Sequence, residues 1–130
     1  MDYAALQASL AVALGGALGS LARYWLGLLL AGGALPWGTV VANVSGSLLI
    51  GLAIGGAGEG TRPALGGTAR LFLTVGFCGG YTTFSSFSLQ TVELVQAGRH
   101  GLALANVLLS VTLCLAATWA GMVAGAALAR

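Results

Sequence analysis

Long apolar stretches alternate with short polar interruptions along the chain. Four such stretches predict membrane-spanning helices at about 4–31, 37–57, 64–97 and 102–128, within one domain covering 1–130. Each reaches the roughly 20 residues that cross a hydrocarbon core. Gly32, Gly33 and Pro36 mark the first turn, and Gly98-Arg99-His100 marks a second. The most polar loop is 58–63. Glycines four apart recur inside the spans, at Gly15 and Gly19, Gly51 and Gly55, and Gly121 and Gly125. That spacing lets a second helix approach closely. The expected architecture is an all-α membrane protein with four transmembrane helices per subunit.

The third stretch departs from a plain span. Gly76-Phe77-Cys78-Gly79-Gly80-Tyr81-Thr82-Thr83-Phe84-Ser85-Ser86-Phe87-Ser88 lies in its middle, and its glycines and hydroxyls suit a lipid-facing helix badly. In hydrocarbon, irregular backbone persists only inside protein or beside a water-filled path. A break of the third helix is therefore expected at 79–83, near the bilayer midplane. Two half-helix ends would meet there and present dipoles and free carbonyls to a small ion.

Polar positions inside the other spans fall into stripes. Thr39, Asn43 and Ser47 recur every four residues and continue to Gly51. Asn106, Ser110, Cys114 and Thr118 do the same in the fourth span, with Thr112 on another face. Such stripes serve either as hydrogen-bonding glue between helices or as two walls of a polar path. They carry donors and no acids, which suits a passing anion. Arg23 is the one charge deep in the first span. It either snorkels to the interface or stands at the mouth of an anion path and concentrates anions there. Phe84 and Phe87 lie on adjoining faces of the second half-helix. Either they pack, or their electropositive ring edges meet a dehydrated anion. Glu93 reads as an interfacial residue, and Tyr3, Trp25, Trp37 and Trp119 as interface anchors.

Composition narrows the class further. Of 130 residues, 58% are apolar and 6% charged, against about 25% charged in soluble domains. The mean hydropathy is +0.96. A net charge of +2, from scattered arginines at 23, 62, 70, 99 and 130, forms no patch for nucleic acid. Met1-Asp2-Tyr3 lacks the basic start of a cleavable signal peptide. Cys78 and Cys114 fall within spans and read as small hydrophobes, and there is no CxxC. No nucleophile–base pair or metal-ligand spacing points to an enzyme. Arg62, Arg70 and Arg130 oppose Arg99 across the membrane, a slight bias that lets chains insert both ways and allows an antiparallel dimer.

Four segments together resemble the small bacterial fluoride channel family, whose fluoride-exporting members are also known as CrcB. They are Gly15-Gly16-Ala17-Leu18-Gly19-Ser20-Leu21-Ala22-Arg23-Tyr24, Gly38-Thr39-Val40-Val41-Ala42-Asn43-Val44-Ser45-Gly46-Ser47, the glycine-rich break from Gly76 to Ser88, and Asn106-Val107-Leu108-Leu109-Ser110. The resemblance implies an antiparallel dual-topology homodimer with two pores in the bacterial cytoplasmic (inner) membrane. It implies passive, selective passage of fluoride out of the cytoplasm. Asn43 would line the pore, Phe84 and Phe87 would supply ring edges, and Arg23 would stand at the vestibule. Ser110 would belong to a polar track on the fourth helix, and the path would take in Thr39, Ser47, Thr83 and Asn106. A structural sodium ion at the dimer axis would be held by backbone carbonyls of Gly79 and Thr82. The sequence departs from the family where Asn106 stands in place of a common tyrosine and Cys114 in place of a hydroxyl.

Two other readings are possible. A proton-coupled multidrug exporter needs a carboxylate within a span, and the acids here are Asp2, Glu59 and Glu93. A non-transporting scaffold explains the glycine pairs but gives no reason for the broken third span.

Overall fold

The structure is a computed structural model that describes residues 2–56 and 66–129. The polar loop at 58–63, with Glu59 and Arg62, and the terminal Arg130 lie outside the described residues. Among the described residues, six α-helices and one π-helical stretch follow in order: α1 (Tyr3–Leu29), α2 (Trp37–Gly55), α3 (Gly67–Leu71), the π stretch (Phe72–Cys78), α4 (Gly79–Tyr81), α5 (Phe84–Gln96) and α6 (His100–Leu128). No strand occurs among the described residues. Helices α1, α2 and α6 are long and apolar enough to cross a membrane, with 27, 19 and 29 residues. At about 1.5 Å per residue they match or exceed a hydrocarbon core of ~30 Å.

Local chemistry sets the helix ends. Asp2 caps α1, its Oδ1 accepting the Ala4 N–H at 3.4 Å. Pro36 precedes α2, where its missing N–H costs no helical bond. Gly98, at φ 72°, closes α5: its N–H donates to the Val95 carbonyl at 2.9 Å, and the Arg99 N–H reaches the Leu94 carbonyl at 2.8 Å. These two bonds form a Schellman closure, which needs a left-handed residue between them. It turns the chain sharply, so α6 returns antiparallel along α5.

Two glycine seams build the bundle, and both were legible in the spacing. A methyl group on Gly15 would strike the Phe72 carbonyl oxygen, and one on Gly19 would strike that of Phe77. On the facing element, a methyl on Gly80 would strike the Gly16 carbonyl oxygen. Hence α1 lies backbone-to-backbone on the π stretch and α4. The second seam joins α2 to α6, where Gly51 faces Thr118, Gly55 faces Met122, and Gly121 and Gly125 face Leu48 and Leu52. Few large side chains are buried between helices, and the core is Val40, Ala42, Cys78, Leu94 and Ala103. Leu10, Leu14, Leu18, Leu104, Leu108 and Leu115 point outward instead. Contiguous apolar surface on this scale belongs in lipid or against another protein. Tyr3, Trp25, Trp37 and Trp119 are also exposed.

Candidate functional site

The break is narrower than the glycines suggest. Gly79 and Gly80 are helical, and the extended residues are Thr82 (φ −86°, ψ 158°) and Thr83 (φ −156°, ψ 114°). The donors of this segment explain the geometry. The Thr82 N–H and hydroxyl both go to the Cys78 carbonyl, at 2.9 and 2.8 Å. In a continuous helix the Thr83 N–H would close on Gly79 and the Ser86 N–H on Thr82. Instead the Thr83 N–H donates to Asn43 Oδ1 at 2.7 Å, and the Ser86 N–H to Thr83 Oγ1 at 3.1 Å. The latter bond is the N-cap of α5. The carbonyls of Gly79 and Thr82 are thereby released from helical pairing.

Asn43 holds the break in place. Its Oδ1 accepts the Thr83 N–H, and its Nδ2 donates to the Thr83 carbonyl at 3.1 Å. The amide side chain thus pairs with one residue's backbone as a strand would, and one Nδ2 hydrogen remains. The stripe leaves Asn43 either as glue between helices or as a donor facing a path; its clamp on Thr83 is a hydrogen bond of the first kind, made to the backbone of the break.

A cavity of about 390 Å³ opens beside this clamp, lined by Asn43, Ser47, Gly79, Thr82, Thr83, Phe84, Phe87, Ser110 and Cys114 among others. The two phenyl rings lie 5.4 Å apart between centroids and tilted by 46°. Phe84 is 78% exposed, and Ser110 is buried. The Ser110 hydroxyl has no hydrogen-bond partner. No described acid lines this cavity. Of the described acids, Asp2 caps α1, and Glu93 lies in another cleft with Arg99.

A second cavity of about 420 Å³ also borders Thr83. Ser20, Arg23, Tyr24, Thr39, Thr83, Ser86 and Gln90 are among its lining residues. Thr83, which Asn43 clamps, borders both cavities. Arg23 is half-buried, and its Nε–H donates to the Gly80 carbonyl at 3.1 Å. The guanidinium is tied to the break and is not simply extended toward the interface. Its remaining N–H groups leave a fixed positive charge in this cavity.

The structure therefore gathers most sequence-selected residues but divides them. Asn43, Ser47, Thr83, Phe84, Phe87 and Ser110 share the first cavity, together with Gly79 and Thr82. Arg23 and Thr39 lie with Thr83 in the second. Asn106 lines neither: it is 1% exposed and donates through Nδ2 to Thr91 Oγ1 at 2.8 Å. Thr91, Ser86 and Gln90 were missed, although Thr91 lies one helical turn beyond Phe87 and shares its face. Among the described residues, no three His, Cys, Asp or Glu side chains cluster as metal ligands. A cation at this site would have only oxygen dipoles to bind. The freed carbonyls of Gly79 and Thr82 fit a hard monovalent ion in that respect.

Membrane-length apolar helices, an apolar exterior and a cavity at a helix break that no described acid lines define a multi-pass membrane protein of the transport class. Comparison with known proteins narrows this. The family described as "CrcB-like protein, Camphor Resistance (CrcB)" matches residues 10–122. The chain is 54% identical to a fluoride-specific ion channel FluC of Rhodospirillum rubrum over 115 residues, covering 86% of this chain and 89% of the relative. It is 47% identical to the protein of that name from Methylocella silvestris, covering 98% and 95%. With the one from Thermus thermophilus the identity is 55%, covering 73% and 76%. The chain belongs to the CrcB-like family. It is thus placed with membrane channels and not with enzymes.

Proposed function

We propose that this protein is a passive, fluoride-selective channel that lets fluoride leave the bacterial cytoplasm across the inner membrane. One observation carries the reading. One cavity, lined by no described carboxylate, is lined by Asn43, which keeps one uncommitted N–H, by Ser110, whose hydroxyl has no hydrogen-bond partner, and by the Phe84 and Phe87 rings. Fluoride is small and strongly hydrated, and a pore must replace its water with close donors. Neutral donors and ring edges do so without the hold of a full positive charge. Arg23, in the adjoining cavity, raises the local anion concentration. The names of the relatives support the choice of anion. Fluoride efflux from vesicles reconstituted with the protein, with chloride as control, tests the reading. Chloride leaving as fast as fluoride would overturn it.

In this reading α3, the π stretch, α4 and α5 together form the third of four spans, with the break at membrane depth. Two chains pair antiparallel, and a second copy covers the exposed Phe84. The pair has two pores. C-terminal tags are then expected on both sides of the native membrane in similar amounts, as protease accessibility would measure. A single orientation for every chain argues against the pairing.

The rings also make a prediction. Phe84→Ile and Phe87→Ile keep most of the bulk and remove the electropositive edge. Each is expected to reduce fluoride flux about tenfold, as if one ring-edge contact of up to ~1.5 kcal/mol were lost. Thermal stability should move less. Unchanged flux with lowered stability would make the rings packing residues only.

Sodium at the two-fold axis is part of the same proposal. The freed carbonyls of Gly79 and Thr82, supplied twice over, would hold it without a carboxylate. When bound, the ion neutralises carbonyl dipoles that otherwise lack partners. Exhaustive sodium removal is expected to lower fluoride flux, and a sodium gradient is expected not to drive it. Flux that follows an imposed sodium gradient would mean coupled transport.

A further inference from the structure

Helix α5 carries both phenyl rings, and two side-chain amides tie it to its neighbours. Asn43 of α2 holds its start through the Thr83 backbone. The other tie is Asn106 of α6, whose Nδ2 donates to Thr91 Oγ1 at 2.8 Å. Thr91 in turn donates to the Phe87 carbonyl at 2.7 Å. A hydroxyl has one hydrogen, and Thr91 commits it to Phe87. The group that Asn106 turns toward Thr91 must therefore be its NH2. Donor order runs one way: Asn106 to Thr91 to the Phe87 backbone. The Asn106 oxygen faces elsewhere, buried and without a hydrogen-bond partner. An anion would not seek that oxygen, and Asn106 does not line the cavity.

Register gives the brace its meaning. Helices α5 and α6 are antiparallel, joined by the tight turn at Gly98. Thr91 stands four residues after Phe87, and Asn106 four residues before Ser110. Phe87 and Ser110 both line the cavity. The Asn106–Thr91 bond thus lies one helical turn nearer the connection than the ring and hydroxyl that face the cavity. Among the described residues it is the one side-chain hydrogen bond between α5 and α6. A buried side-chain bond of this kind between two helices fixes both sliding and spreading.

We propose that Asn106 is a positioning residue that sets the gap between the Phe87 ring and the Ser110 hydroxyl, and so limits the size of the anion admitted. It touches no anion itself and acts through Thr91. The proposal rests on the fluoride-channel reading and assigns the size filter within it.

The test compares fluoride and chloride efflux for wild type, Asn106→Leu, Thr91→Val, Thr91→Ser and the double variant Asn106→Leu/Thr91→Val, all full length in vesicles. Asn106→Leu and Thr91→Val are each expected to raise the chloride-to-fluoride ratio about five- to tenfold, the scale of one lost buried hydrogen bond. The double variant should match the larger single effect, because both changes remove the same bond. Thr91→Ser keeps the hydroxyl and should keep the wild-type ratio. Loss of stability alone lowers both fluxes together and leaves the ratio unchanged. If Asn106→Leu fails to assemble, Thr91→Val and Thr91→Ser decide the matter. Fluoride flux with a wild-type ratio in the assembled variants, or additive effects in the double variant, would overturn the brace alone. A wild type that passes no fluoride would overturn the channel reading and the brace with it.

Discussion

Asn43→Ala is expected to reduce fluoride flux by well over tenfold and to lower thermal stability as well. Both effects come from the same pair of bonds. Alanine leaves the Thr83 N–H and carbonyl without the partners they now have at 2.7 and 3.1 Å. Each part-buried, unpaired backbone group costs about 1–3 kcal/mol. Only ~1.4 kcal/mol makes a tenfold change in the population of the ordered break. The cavity also loses the second Asn43 N–H. Asn43→Asp separates these contributions, because a carboxylate can still accept the Thr83 N–H but cannot donate to its carbonyl. It also adds a negative charge to an acid-free cavity. Flux through Asn43→Asp should fall at least as far as through Asn43→Ala, with a smaller loss of melting temperature. Wild-type flux in Asn43→Ala would reduce Asn43 to helix–helix glue.

The second large effect is expected in the fold itself. Gly19→Ala places a methyl against the Phe77 carbonyl oxygen and 2.8 Å from the Tyr81 nitrogen. Both contacts are backbone, so no side chain can swing aside. The α1 seam must open, at about 1–3 kcal/mol or more for overpacking. Opening it moves α4, which carries the Gly80 carbonyl that Arg23 holds. Gly19→Ala should therefore lower the melting temperature by several degrees and reduce the assembled fraction on size exclusion. Gly101→Ala is the control, since a methyl there meets nothing within 4 Å. It should match or slightly exceed the wild type, given the helix preference for alanine. Equal behaviour of the two variants would mean that the seam does not depend on close backbone contact.

Particular residues show how far the sequence could be read. The glycine pairs identified the two seams because close approach demands small residues, and small residues four apart are visible in a string. The break was placed correctly in the third stretch but assigned too broadly. Gly79 and Gly80 read as helix breakers, yet Gly80 is there because its backbone lies against Gly16. The break is made by Thr82 and Thr83, whose extended form depends on Asn43, 40 residues away. No local pattern encodes that partner. The stripe from Thr39 to Ser47 was visible, but steps of four residues overshoot a full turn by about 40° each. Over two steps the stripe rotates far enough that Thr39 joins Arg23 while Asn43 and Ser47 face the first cavity. Asn106 fell on the right face of α6 for a polar track. Its burial against Thr91 depends on the turn at Gly98, which sets how α5 and α6 register.

The π winding of Phe72–Cys78 bears on how the chain tolerates changes in length. Pairing each N–H five residues back fits more residues into a turn than an α-helix does. The extra winding sits against Gly15, where the absence of a side chain leaves room for it. A segment with one residue fewer could rewind as ordinary α-helix and still deliver Gly79 to the cavity wall. The approach to the break therefore acts as a slack coil. A one-residue deletion there is expected to be taken up by this rewinding, with the orientation of Thr82 and Thr83 kept.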